Sequence, residues 1–142
     1  MIDMKYDAIY SRLQPSTLIA IVFRAGGFEP GRIDIAPVNE FLQCSALAFD
    51  EGKTFKPHKH IHLEKTTNIA QECWVVIEGV VKAMWYDVND KLLTERILEA
   101  GDMAMTFRGG HNYLILEDDT KVYEFKTGPY FGVAMDKEFI DE

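Results

Sequence analysis

The sequence predicts an all-β, antiparallel single domain, and three observations carry that expectation. Short runs rich in Val, Ile, Phe and Tyr recur along the chain, and residues suited to turns fall between them. No low-complexity tract, Ser/Pro linker or repeat of solenoid period marks an internal boundary. Taken in order, 7–13 fits either a short helix or an added edge strand, and 17–23 is a strand closed by Gly26-Gly27 and Pro30-Gly31. Strands are expected over 41–49, ended by Asp50-Glu51-Gly52, and over 55–63, which holds three of the four histidines. The runs 72–77 and 80–86 flank Gly79, and 92–98 follows Val88-Asn89-Asp90-Lys91, so 72–98 reads as an antiparallel meander. Further strands are expected over 103–107 after Gly101-Asp102, 113–116 after Gly109-Gly110, and 122–126 after Asp118-Asp119. Gly128-Pro129 ends the last of these, and 135–140 is again either helix or edge strand. Many short strands with turns at close intervals make a sandwich or a barrel.

Composition narrows the function classes. A chain of 142 residues that is 47% hydrophobic and 12% aromatic has a core of its own, so a bound metal is expected to serve function and not folding. Fifteen Lys and Arg against 23 Asp and Glu leave a charge of −8, the wrong sign for neutralising phosphates, and no nucleic-acid partner is expected. The longest apolar run, 18–23, is far short of the ~20 residues that cross a bilayer, and 1–10 carries charges where a signal peptide has its apolar core. Cys44 and Cys73 stand alone, as suits free thiols in a reducing compartment. A cytoplasmic protein without membrane contact is the expectation.

The chemistry concentrates in Pro57-His58-Lys59-His60-Ile61-His62. In a strand, alternation places His58, His60 and His62 on one face, with neighbours about 6.6 Å apart along the backbone. Two such imidazoles reach one metal ion at about 2.1 Å, whereas His58 and His62, about 13 Å apart, do not. The residues alone leave two pairs open, His58 with His60 or His60 with His62.

Two longer patterns resemble the paired motifs of the cupin superfamily. Gly52, five residues on to His58, Lys59 and His60, then Glu72 and Gly79, is similar to the first. Gly101-Asp102 through Gly109-Gly110-His111 is similar to the second. The gap from His60 to Glu72 is longer than usual and implies an extended loop over 65–70; Phe107 and Ile115 stand where proline and asparagine are common. The resemblance covers the central and C-terminal two thirds of the chain. It implies a double-stranded β-helix, the cupin or jelly-roll barrel, with a barrel core over about 41–127, an N-terminal strand extension and a C-terminal tail. It also implies a homodimer and a divalent Fe, Mn, Ni or Zn ion held by His58, His60, Glu72 and His111. Some proteins of this look accompany polysaccharide-biosynthesis genes.

On that register His62 becomes a rim residue for substrate or proton transfer, and Glu64 a rim carboxylate, because counting on from Glu64 puts Gln71 where the glycine should be. Around the metal, Gln43, Tyr86, Arg108, Tyr113, Glu124 and Lys126 are candidates for ligand binding; Glu124 and Lys126 share a strand face, and Arg108 adjoins the motif-two glycines. Trp74 and Tyr86 suit core packing as well as a substrate platform, and alternation sends Cys73 to the face opposite Glu72. Three imidazoles and a carboxylate leave two positions open on an octahedral ion, for water or an oxygen-rich ligand such as a sugar or keto acid. The expected function is a metal-dependent cupin enzyme; no catalytic residue is assigned, and oxygenase, isomerase and lyase stay equally open. Two alternatives stand beside it: a non-catalytic metal or ligand sensor, and a metal-free sugar isomerase or epimerase in which a histidine and a tyrosine move protons.

Overall fold

Alternating apolar side chains need sheets packed on both sides, and the chain supplies two such interfaces around one central sheet. The computed structural model describes residues 6–141. The expected charged N-terminal stretch lies outside the described residues over 1–5, as does residue 142. Among the described residues are ten strands: β1 (Tyr6–Tyr10), β2 (Leu18–Phe23), β3 (Gly31–Asp34), β4 (Ser45–Ala48), β5 (Glu72–Glu78), β6 (Val80–Tyr86), β7 (Leu92–Glu99), β8 (Met103–Thr106), β9 (Gly110–Ile115) and β10 (Lys121–Lys126). One helical turn, α1 (Val133–Asp136), follows. The protein is all-β, and every strand pairing is antiparallel.

A five-stranded sheet runs β1-β2-β8-β5-β10, a three-stranded sheet runs β7-β6-β9, and β3 and β4 form a third. Val22, Val76 and Ala104 of the first sheet meet Val81, Ala83, Trp85 and Leu98 of the second in an inner core, with Trp74, Tyr113 and Val122 at its margin. The opposite face of the five-stranded sheet presents Ile21, Phe23, Cys73, Met103 and Met105 to Ile35, Ala36 and Ala46. That second core explains why β2 is buried at every position.

Several expectations change. The run 55–63 is not a strand: every residue from 51 to 70 is exposed and none joins a ladder. Its alternation is real, but Pro57 withholds a donor, and no sheet covers its apolar side, so Ile61 remains 85% exposed. The shared strand face inferred for His58, His60 and His62 falls with it. Of 41–49 only β4 is strand, and β3 is an element that the sequence reading missed. The open segment 7–13 resolves as β1 ending at Tyr10, and 135–140 as the end of α1 followed by irregular chain.

The meander over 72–98 is half present. β6 and β7 pair, but β5 pairs with β8 and β10 while β6 pairs with β7 and β9. Gly79 is therefore a crossing between sheets and not a hairpin turn. Its φ of +90° suits glycine, and a Cβ there would stand 2.8 Å from the Thr120 Cα. A second turn, at Gly101-Asp102, is fixed by the Asp102 carboxylate, which accepts from the Ala25 and Glu99 amides at 2.8 and 2.9 Å and pairs with Arg24 at 3.1 Å.

Candidate functional site

The inner core gives way to polar side chains at one end of the facing sheets. Glu72 opens β5, with Thr106 of β8 opposite on one side and Lys126 of β10 opposite on the other. Trp74 and Val76 share its face by alternation, so the Glu72 side chain points toward the three-stranded sheet. From that sheet β9 offers His111, whose Nε2 lies 3.3 Å from Glu72 Oε1. Two residues along β9, Tyr113 stacks on Trp74 with ring centres 3.8 Å apart and planes 8° from parallel. The His111 ring meets Tyr113 edge-on at 5.7 Å. Glu124 of β10 accepts a hydrogen bond from Trp74 Nε1 at 3.1 Å, which fixes the outer margin of the stack.

Burial and charge set the protonation states. Burial alone raises the Glu72 carboxyl, but the hydrogen bond and charge of His111 outweigh it, with Glu124 and Lys137 contributing, so Glu72 stays ionised below the usual carboxylate range. Tyr113 goes the other way: burial first, then the Glu72 charge, pushes its hydroxyl well above the ordinary tyrosine value, and it remains a proton donor. Its hydroxyl is buried without a hydrogen-bond partner among the described residues, next to a Thr106 hydroxyl that accepts from Trp85 Nε1 at 2.9 Å. Cys73, on the opposite face as alternation predicts, is pushed up to about 12 by burial, then by Cys44 and Glu72, and is an inert thiol.

The structure thus brings together Glu72, His111, Tyr113, Glu124 and Lys126, with Trp74 as their floor. It does not bring the loop histidines to them. His58, His60, His62 and Glu64 are exposed; His58 and His60 face each other with ring centres 5.7 Å apart, and His58 Nδ1 lies 3.0 Å from the Lys56 carbonyl. Among the described residues no group of three or more His, Cys, Asp or Glu side chains is gathered for a metal ion. The donor set fits a divalent ion by halves. Neighbouring donors on one ion, at bonds of about 2.1 Å, lie about 3.0–3.4 Å apart, and the 3.3 Å between Glu72 and His111 falls in that range. The same separation is long for a direct N–H···O hydrogen bond, whose mode is about 2.9 Å.

The remaining candidates have other duties. Gln43 donates to the carbonyls of Pro37 and Glu40 at 2.9 and 2.7 Å and staples its own loop. Tyr86 is buried opposite Gly110. Arg108 grips Glu40 through both terminal nitrogens at 2.8 and 3.1 Å. Burial would raise Glu40, but its Arg108 and Gln71 hydrogen bonds hold the carboxyl low. Gln71 also accepts from the Leu42 amide, so this network ties the loop before β4 to the start of β5 and the turn before β9. Sequence reasoning missed Glu40, Gln71 and Thr106; Gln71 beside Glu72 was the one with a signal, as a polar residue at the head of an apolar strand. Comparison of the chain with protein-family models, curated proteins and solved structures finds no match.

Proposed function

We propose that the chain is a cupin with a double-stranded β-helix barrel, binding one divalent transition-metal ion through His58, His60, Glu72 and His111 and acting on a small polar substrate such as a sugar or keto acid. The observation that carries the reading is the approach of Glu72 and His111 to 3.3 Å, because one comes from each of the two sequence patterns and they lie 39 positions apart. The reading requires the exposed segment 51–70 to carry His58 and His60 to that pair when metal is taken up. The bound ion, Fe, Mn, Ni or Zn, would polarise an oxygen ligand and lower the pKa of bound water. Around it Glu72 stays ionised, and the stacked Trp74 and Tyr113 rings wall one side. A homodimer in the cytoplasm belongs to the same reading, and light scattering on the purified chain tests the dimer.

Elemental analysis of protein purified without a histidine tag, after repletion with each of the four metals, tests the site. One ion per chain is expected, lost in His58→Ala, His60→Ala and His111→Ala and retained in His62→Ala. No ion under any repletion overturns the reading, and full occupancy in His58→Ala with loss in His62→Ala shifts the register by one step.

A second reading has its own observation. His111 and Tyr113 lie edge to face beside an ionised carboxylate, the grouping that a metal-free isomerase or epimerase uses to move protons on a sugar. Solvent-deuterium incorporation into a sugar by EDTA-treated protein, abolished in Tyr113→Phe, is its expected result.

A further inference from the structure

The chain places one of its own carboxylates at the Glu72 end of the sheets. After β10 the C-terminal segment turns back, and Asp136 of α1 lies between two ammonium groups, 3.7 Å from Lys126 Nζ and 3.8 Å from Lys137 Nζ. Lys126 is the direct cross-strand partner of Glu72, and its ammonium also stands 4.4 Å from the centre of the Tyr130 ring. Lys137 bears electrostatically on Glu72. Further on, Ile140 Cδ1 fills the space over Gly110, where an added Cβ would stand 2.3 Å away, one residue before His111. Two points on the segment thus fix it across the Glu72–His111 end.

The hold is loose. Charge-assisted N–H···O bonds close to about 2.7–2.9 Å, whereas both lysines stop near 3.7 Å from Asp136, gathered round a carboxylate without closing on it. Lys137 directly follows Asp136 and would leave with the segment, so Asp136 parts from both ammonium groups by rotation of its own side chain, in a turn where no residue is buried. Charge points to the occupant. Lys126 and Lys137 both face the Asp136 carboxylate, and its departure opens the two ammonium groups to another anion in its place.

We propose that Lys126 and Lys137 form a cradle for the carboxylate of a small hydroxy or keto acid, and that Asp136 occupies this cradle as an internal stand-in until the ligand displaces it. The proposal deepens the reading of Glu72 and His111 as the ligand-handling pair, which it takes as given. The class follows from the neighbours: two ammonium groups for a carboxylate, and beside them the Glu72–His111 pair for an adjacent oxygen.

Lactate and lactamide, alike in shape but not in charge, test it by ligand-observed NMR titration of the full EDTA-treated chain. A short intramolecular competitor acts at millimolar effective concentration, so Asp136→Asn is expected to tighten lactate about fivefold or more. Lactamide affinity should not change, and adding Lys137→Gln should cancel the gain. Thermal melts control for folding, and since Asp136→Asn is isosteric and Lys137 is exposed, both variants retain the core. Equal gains for lactate and lactamide, no gain for lactate, or a gain that survives Lys137→Gln each overturn the proposal. Elemental analysis of the same variants after metal repletion, without EDTA treatment, separates it from the parent reading. Protein that takes up no metal yet shows the Asp136→Asn gain sinks the metal site and keeps the cradle, and metal-loaded protein without the gain does the reverse.

Discussion

At the scale of single residues, Gly79 and Gly52 make a controlled pair. Both adopt the left-handed region, at φ +90° and +85°, but only Gly79 faces a neighbour, the Thr120 backbone. Gly52→Ala should cost about 1–2 kcal/mol, from backbone conformation alone. Gly79→Ala should cost that and a further ~1–3 kcal/mol for overlap, and urea unfolding of both variants checks the difference. Asp87 offers a pH test. The Ser11 hydroxyl, and then the amides of Val88, Arg12 and Leu13, hold its carboxyl below the ordinary value of 3.8 against the opposing effect of burial. Because the folded value lies below the unfolded one, this stabilisation is complete above pH 3.8 and is lost as pH falls through the folded value. Ser11→Ala should therefore destabilise the protein at pH 6 and lose most of that penalty at a pH below the folded value. Equal penalties at both pH values would assign the effect to packing.

At the scale of elements, the segment 51–70 is where the sequence was most suggestive and least sufficient. Alternation in 55–63 was legible, but a strand needs a partner, and nothing local reveals that Ile61 and Leu63 have no sheet to lie on. The runs that became β2 and β5–β10 were legible as apolar or aromatic stretches that end at a glycine or an Asp/Asn turn. Their grouping into sheets was not, because Gly79 looks the same in a hairpin as in a crossing. Of the site, Glu72 and His111 were legible as members of two spaced patterns, while Asp136 was hidden, since its meaning depends on a chain reversal after β10. Exposure predicts that trypsin cuts the native protein first after Lys53, Lys59 or Lys65. On the proposed metal site, saturating Ni or Zn should slow those cuts severalfold in the wild type and not in His60→Ala, as gel time courses with mass mapping will show.

At the scale of the whole molecule, the order of strands has a consequence in time. β2 lies between β1 and β8, with Ala20 opposite Thr106 and Phe23 opposite Met103, so the middle of the largest sheet joins residues some 80 positions apart. Chains dominated by such distant pairings fold in about milliseconds to seconds, and stopped-flow refolding is expected to fall there and not in microseconds. Truncation after residue 99 should leave β2 without β8 and abolish the cooperative melt, which circular dichroism reads directly. On a ribosome, the most apolar strand of this protein must wait without its β8 partner while a further 80 residues, more than half of the chain, are made. Its yield in a cell should therefore respond more to holding chaperones during synthesis than to any substitution that merely raises the stability of the finished fold.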